Sequence, residues 1–450
     1  MNRKWIALSA VMTITAAMSL GCSGKNEPAP PAEASGKPEA STSPKTAPVS
    51  LKFWGGVPPE SGPQQVVDKW NKEHPDIQVE YIRYVNDDTG NLKLETALLS
   101  KTETPDLFMT YADERITKRV QAGMTEPLDD LIAKSGFDLN GVIGADRIFK
   151  YDNKIHYIPA SRSIGAIMIN KTALEEAGEK LPVSWTWDEF AALAKKLTKG
   201  DRKGLVLEPA QGTLGEYVAT TSKPSDWLIT ADGTSNFNSP ALKKGLELQK
   251  SLEESGALIK YPDAVAGKIT LQNEFLTGKA AMAPAASYLI RYIKDTKNFP
   301  HDFPVVFAPY PQYEKDGKVN PGGGLGDYLS INKNSPHKEA AMKFMNWYLT
   351  DGVMEMVAGG RIPSNQKIDF NKISTLLIGD AEKLIDKASL QALLSDKLTY
   401  PSSNRVPAPA ELRAVYKEEM EKYLFGVQPI DKTLEIMKTR GDAIIKNAKK

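Results

Sequence analysis

Trp70-Asn71-Lys72-Glu73-His74-Pro75-Asp76-Ile77-Gln78-Val79 changes its hydrophobic period partway along. Upstream, Val66, Val67 and Trp70 share one face of a helix predicted over residues 58–74, and Pro75 ends it. Downstream, Ile77, Val79 and Tyr81 alternate, which predicts a strand over residues 77–84. On the N-terminal side, Leu51-Lys52-Phe53-Trp54-Gly55-Gly56 reads as a short strand running into glycines. On the C-terminal side, residues 92–99 read as an amphipathic helix, and Pro105-Asp106-Leu107-Phe108-Met109 as a buried third strand. Strand and helix alternating at this spacing imply parallel β-α-β units, hence a layered α/β sheet. From about residue 190 to 424 the pattern is mostly helical, with strands near residues 280–283, 305–308 and 328–331. The 400 residues from Leu51 onward are too many for one ordinary core. No fixed-period repeat and no long Pro/Gly linker divides them, so two lobes sharing crossover strands are expected.

The first 50 residues are of another kind. Arg3 and Lys4 precede an apolar run from Trp5 to Leu20, then Gly21 and Cys22, the only cysteine. This is the layout of a secretory signal peptide, and its core is short of the roughly 20 residues a spanning helix needs. Met18-Ser19-Leu20-Gly21-Cys22 resembles the lipobox of bacterial lipoproteins, although Ser19 stands where Leu is usual. That resemblance implies cleavage after residue 21 and a diacylglyceryl group on Cys22. Pro28, Pro30, Pro31, Pro38, Pro44 and Pro48 follow, among Ser, Ala, Lys and Glu. Such a segment buries too little apolar surface to offset its ordering entropy, so residues 22–50 read as a disordered tether. As a flexible coil it spans roughly 30 Å.

Hydrophobic content of 41% and charged content of 25% describe a soluble globular body. The formal charge is +1, and loss of Arg3 and Lys4 with the leader takes it to −1. Nucleic-acid binding needs a concentrated basic surface, which this balance does not provide. With Cys22 lipidated, the folded body has no thiol chemistry.

Several segments together resemble the extracellular solute-binding proteins of bacterial ABC sugar importers, the family that contains maltose-binding protein. They are the 70–79 junction, Pro105-Asp106-Leu107-Phe108 and Asp152-Asn153-Lys154-Ile155-His156-Tyr157-Ile158-Pro159. Ile169-Asn170-Lys171-Thr172-Ala173-Leu174, Trp185-Thr186-Trp187-Asp188-Glu189-Phe190 and Phe275-Leu276-Thr277-Gly278-Lys279-Ala280-Ala281-Met282 continue the likeness. Ser330-Ile331-Asn332-Lys333-Asn334-Ser335-Pro336 closes it, and the match thins after Arg361. The resemblance implies a two-lobed periplasmic-binding-protein-like fold of type II, with mixed sheets flanked by helices and a hinge of crossover strands. The lobes would be residues 51–159 with 308–358, and 160–307 with 359–450. They would close on a solute, which takes roughly 5.5 kcal/mol of differential affinity for a full population shift.

Candidate ligand contacts follow from strand ends and from the resemblance. Trp54 and the glycines after it, and Tyr111 and Asp113, sit at carboxyl ends of strands, where open α/β sheets bind ligands. Trp54 reads equally as a core residue. Glu60 opens a helix, and either accepts sugar hydroxyls or favours the positive helix end. Arg162 falls in the hinge stretch. Tyr217 and Trp227 stand in an irregular stretch suited to a stacking platform, and Ser287 and Tyr288 follow the strand near residues 280–284. Gly322-Gly323-Gly324-Leu325-Gly326-Asp327 does not spell a dinucleotide fingerprint. The resemblance places Gly324 and Asp327 at the cleft, and Arg361 in a late cleft loop.

The chain lacks a P-loop, an HExxH helix and a GxSxG elbow, and its four histidines are well separated. No cofactor, metal or catalytic residue is expected. Asp87-Asp88 lies in a polar turn over residues 86–91, read as a solvated loop before a weak calcium site. The expected function is a lipid-anchored, monomeric receptor that captures a carbohydrate and delivers it to an ABC importer on the outer face of the membrane. The alternatives are a surface polysaccharide-degrading enzyme, with two carboxylates about 5–9.5 Å apart across a cleft, and a module presenting its ligand to a sensor kinase.

Overall fold

The computed structural model describes residues 47–100, 102, 104–222, 227–315, 323–395 and 406–448. The signal peptide, Cys22, nearly all of the tether and Gly322 lie outside the described residues. The described residues form nine strands: β1 Val49–Gly55, β2 Ile77–Arg83, β3 Leu107–Thr110, β4 Ile158–Asn170, β5 Lys203–Leu205, β6 Ala280–Ala286, β7 Val305–Ala308, β8 Gly323–Ile331 and β9 Ile362–Pro363. Their order is β2-β1-β3-β8-β4-β6-β5, with β7 and β9 also paired to β4. β1 is parallel to β2 and β3, as the β-α-β spacing predicts, whereas β8 runs antiparallel to β3 and β4.

β4 joins the two halves of this system. Residues from Ile158 to Ile164 pair with β8, and those from Gly165 to Asn170 pair with β6 and β7. One thirteen-residue strand therefore belongs to two sheets, each with its own cores. The first sheet packs Leu51, Phe53, Leu107 and Leu329 against Trp70 and Phe344 of the Pro63–Glu73 and Lys338–Thr350 helices. The second packs Ile167, Leu205 and Met282 against Trp187 and Phe190 on one face. Its other face packs Ala283 and Phe307 against Phe275 and Leu377. A mixed α/β body of two lobes results.

Local chemistry explains the element ends. The predicted 58–74 helix is broken at Gly62 (φ 127°), after a 3-10 turn at Pro59–Ser61. A Cβ there would lie 2.8 Å from the Met356 sulfur and 2.9 Å from the Glu355 carbonyl, so the chain needs glycine and a break. The indole of Trp70 then donates to the Ile77 carbonyl at 2.8 Å, tying the helix to the strand it precedes. Asp87 is not a loop ligand: it caps the Asp88–Leu99 helix, accepting from Gly90 N at 2.7 Å. Asp152 and Asn153 both have positive φ and turn a tight hairpin before β4. Thr186 and Glu189 form a reciprocal capping box at the start of the Trp187–Leu197 helix. β1 starts at Val49, two residues before the predicted Leu51.

Candidate functional site

Tyr111 follows β3, and its ring lies close against the backbone after β1. Gly56 N donates to its hydroxyl at 2.7 Å, and a Cβ on Gly56 would sit 2.8 Å from the ring. Gly55 is equally close to Tyr81, with 2.6 Å from a Cβ to the hydroxyl. The two glycines thus admit tyrosines, and not a solute, against the strand end. Arg361 stands above this floor, its guanidinium carbon 5.7 Å from the Tyr111 ring centre. Its Nε is 3.3 Å from Oδ2 of Asp327, which is itself buried in β8. Burial opposes the charge on Arg361, but Asp327 and the surrounding tyrosines outweigh it and hold the pKa above the ordinary value. Arg361 reaches this place because Gly360 (φ 87°) lets the chain pass the Ser287 carbonyl, 2.7 Å from where a Cβ would be.

Tyr288 comes from the other sheet, on the Ser287–Leu289 turn after β6. Burial pushes its hydroxyl up to about 12, Glu208 adds to this, and Arg361 acts against it. Tyr217 packs edge-on to Tyr310 at 5.7 Å, and burial raises it well above the ordinary tyrosine value, with Tyr310, Glu216, Tyr288 and Glu208 contributing. Tyr111, Asp327 and Arg361 of the first sheet thus stand beside Tyr288 of the second, next to the antiparallel β4–β8 ladder, and Tyr217 lies on the second-sheet side. Asp113 stands at the start of the Asp113–Gln121 helix and accepts a hydrogen bond from the Tyr328 hydroxyl. It is exposed on one side yet crowded by protein, and this desolvation raises its carboxyl pKa against the effect of Tyr328.

Other expected contacts lie elsewhere. Trp54 is 6% exposed and packs with Tyr84, Leu94, Leu98 and Phe108 beneath the Asp88–Leu99 helix, the arrangement its reading as a core residue expects. Its neighbour Phe53 faces the opposite core, because successive strand residues point to opposite faces. Trp227 is buried with Phe237, Leu242 and Tyr416. Tyr416 packs edge-on to it at 4.9 Å. Arg162 is buried in β4 with its guanidinium 4.2 Å from the Phe370 ring centre. Glu60 is exposed on the Pro59–Ser61 turn. Ser287 borders a small apolar cavity of about 20 Å³. Gly324 lies opposite Ser163 in the β4–β8 ladder, and a Cβ there would meet only open space.

Several residues of the site were not anticipated. Tyr310 and Glu208 follow β7 and β5, so the carboxyl-end rule that picked out Tyr111 would have found them. β5 has only three residues and shows no period of its own. Arg413, from the Pro409–Leu424 helix, approaches Glu216 at 3.7 Å, and no local signal marks it. The assembled surface offers aromatic faces, phenolic donors and charged acceptors, a set suited to hydroxyl-rich solutes.

Comparison with known proteins agrees with this geometry. The sequence profile described as "Bacterial extracellular solute-binding protein" matches residues 55–355. The chain is 24% identical over 339 residues to an uncharacterized lipoprotein from the oleD 5′ region of Streptomyces antibioticus, covering 70% of each chain. It is 27% identical over 235 residues to the multiple sugar-binding protein of Streptococcus mutans, covering 46% of this chain and 50% of that one. The chain thus spans about half the length of the latter relative. Among solved structures, an ABC substrate-binding protein of Listeria monocytogenes in complex with cycloalternan superposes with a TM-score of 0.72. That match has 21% identity over 89% of this chain and 99% of the other, which establishes the shared fold.

Proposed function

Because this chain belongs to the bacterial extracellular solute-binding proteins, a family of receptors and not of enzymes acting outside the cytoplasm, we propose that it captures an oligosaccharide by lobe closure and passes it to an ABC importer. The single observation that carries this reading is the series Tyr111–Asp327–Arg361–Tyr288, in which Arg361 follows a glycine packed against the Tyr288 backbone and meets Tyr111 and Asp327 of the first sheet. Aromatic faces suit the C–H faces of sugar rings, and an ion-paired arginine and aspartate suit paired hydroxyls. The sugar-binding relatives favour the same class of solute. We propose lobes of residues 51–159 with 308–358, and 160–307 with 359–450, a division supported by β4, which pairs with β8 over one half and with β6 over the other.

The ligand contacts in this reading are Tyr111, Asp113, Tyr217, Ser287, Tyr288, Gly324, Asp327 and Arg361, with Glu60 and Arg162 at the margin. Cys22 carries the lipid that holds a monomeric receptor at the membrane. The test is a thermal-shift and calorimetric screen against neutral and acidic oligosaccharides. A hit should lose roughly 1 kcal/mol of binding, about fivefold, in Tyr288→Ala. No response to any sugar of the panel would rule out the carbohydrate reading. Release of the protein from membranes by Cys22→Ser tests the anchor.

A further inference from the structure

The last two described helices, Pro409–Leu424 and Ile430–Ala448, contribute no strand to either sheet. Leu412, Val415, Tyr416 and Met420 pack the first of them onto Leu242 and Leu246. The Tyr416 hydroxyl is hydrogen-bonded to Thr213 Oγ1, just before the Leu214–Ser222 helix. The Pro409–Leu424 helix is thereby fastened on the side of the second sheet. Arg413, in its first turns, lies at the edge of this packing. Its guanidinium carbon lies 5.9 Å from the Trp227 ring centre, so this buried aromatic supports the arginine.

Arg413 Nη1 is 3.7 Å from Oε1 of Glu216, while its Nε is 4.0 Å from Oε2 of Glu114. Glu114 belongs to the Asp113–Gln121 helix, which follows β3 of the first sheet, next to Asp113 of the candidate site. The other oxygen of Glu216 accepts from Thr213 N at 3.0 Å, so that carboxylate is held with one oxygen left for the guanidinium. One cation thus stands between an acid on the first-sheet side and one on the second-sheet side. Both separations exceed the 2.7–2.9 Å of a charge-assisted hydrogen bond, by about 1 Å. Arg413 and Glu216 belong to the same lobe, so a small further approach of the lobes shortens the one pair that spans them, Arg413 with Glu114, into a hydrogen-bonded one.

We infer that Arg413 is a positioning residue for solute capture, a strap that joins Glu114 to Glu216 as the lobes close, so that the C-terminal helices belong to the binding apparatus. The inference rests on the closing-receptor reading above, and its test needs no solute. Spin labels on Gln121→Cys and Glu247→Cys, exposed positions on the two sides, report the inter-lobe distance in the full chain without sugar. Arg413→Gln should lengthen the mean distance by several ångströms without lowering the melting temperature, and Arg413→Lys should restore most of the shorter population. Raising salt should lengthen the distance in the parent protein and leave Arg413→Gln unmoved, because exposed pairs are screened. Glu114→Gln removes the strap from its other end without touching the C-terminal packing, and should give the same lengthening. An unchanged distance in both Arg413→Gln and Glu114→Gln, or full additivity of the two changes in the double variant, overturns the inference. A failed sugar screen with intact strap behaviour would count against the carbohydrate reading alone.

Discussion

Asp327 holds a left-handed backbone (φ 49°) inside β8, a conformation that costs a residue with a Cβ roughly 1–2 kcal/mol. Aspartate tolerates it better than most, and its buried carboxylate meets Arg361 in return. Asp327→Asn keeps the backbone tolerance but leaves Arg361 unpaired, which should destabilise the fold by about 3 kcal/mol. Asp327→Ala should cost about 1 kcal/mol more, from the strain that alanine bears there. Urea denaturation of the two variants checks the order. The tryptophans allow an opposite test: Trp54→Ala, a core truncation, should lose about 3–5 kcal/mol of stability with little change in sugar affinity. Tyr288→Ala should do the reverse. Strand-end position alone cannot separate the two, since Trp54 and Phe53 differ by one residue and face opposite cores.

At the scale of elements, local rules read well wherever the chain punctuates itself. The Thr186–Glu189 box is visible as Thr-x-x-Glu before an apolar run, and Thr186→Ala should cost about 1 kcal/mol in thermal unfolding. The 86–91 segment was misread because Asp favours both turns and helix caps, and only the helix it precedes decides between them. β5 was missed because three residues between helices carry no period. The C-terminal helix pair offers a pH test. Glu418 is pulled down to about 2 by hydrogen bonds from Arg440 and Lys422. A carboxylate with its folded pKa below the unfolded value of about 4.3 stabilises above that value and loses its contribution as pH falls toward 2. Glu418→Gln should therefore flatten the acid limb of stability between about pH 4.5 and 2, measured by melting temperature against pH.

For the whole molecule, the decisive feature is that β4 is shared. A strand common to two sheets holds the lobes together while leaving the ladder free to flex where its partners change, between Ile164 and Gly165. Solute binding should then shrink the radius of gyration in X-ray scattering, as lobes that close on a ligand do. Scattering that is identical with and without a bound sugar would contradict that motion. Ending the chain at residue 408 should leave Leu242, Leu246 and Phe237 uncovered and yield an insoluble protein, since these side chains pack on the last two helices.

The order of strands and helices in the first lobe, the caps and the breaks at proline are local properties, and the periodicity around Trp70 to Val79 was enough to read them. Tyr111, Asp113, Tyr288, Asp327 and Arg361 were legible as strand-end or late-loop residues, but their convergence was not. It depends on pairings such as Arg162 with Leu325 and Ile362, which join segments far apart in the chain. Arg413 between Glu114 and Glu216 lies further still from any local signal. Hydrophobic period records which face of an element is buried, whereas the partner it is buried against is chosen only when the chain packs.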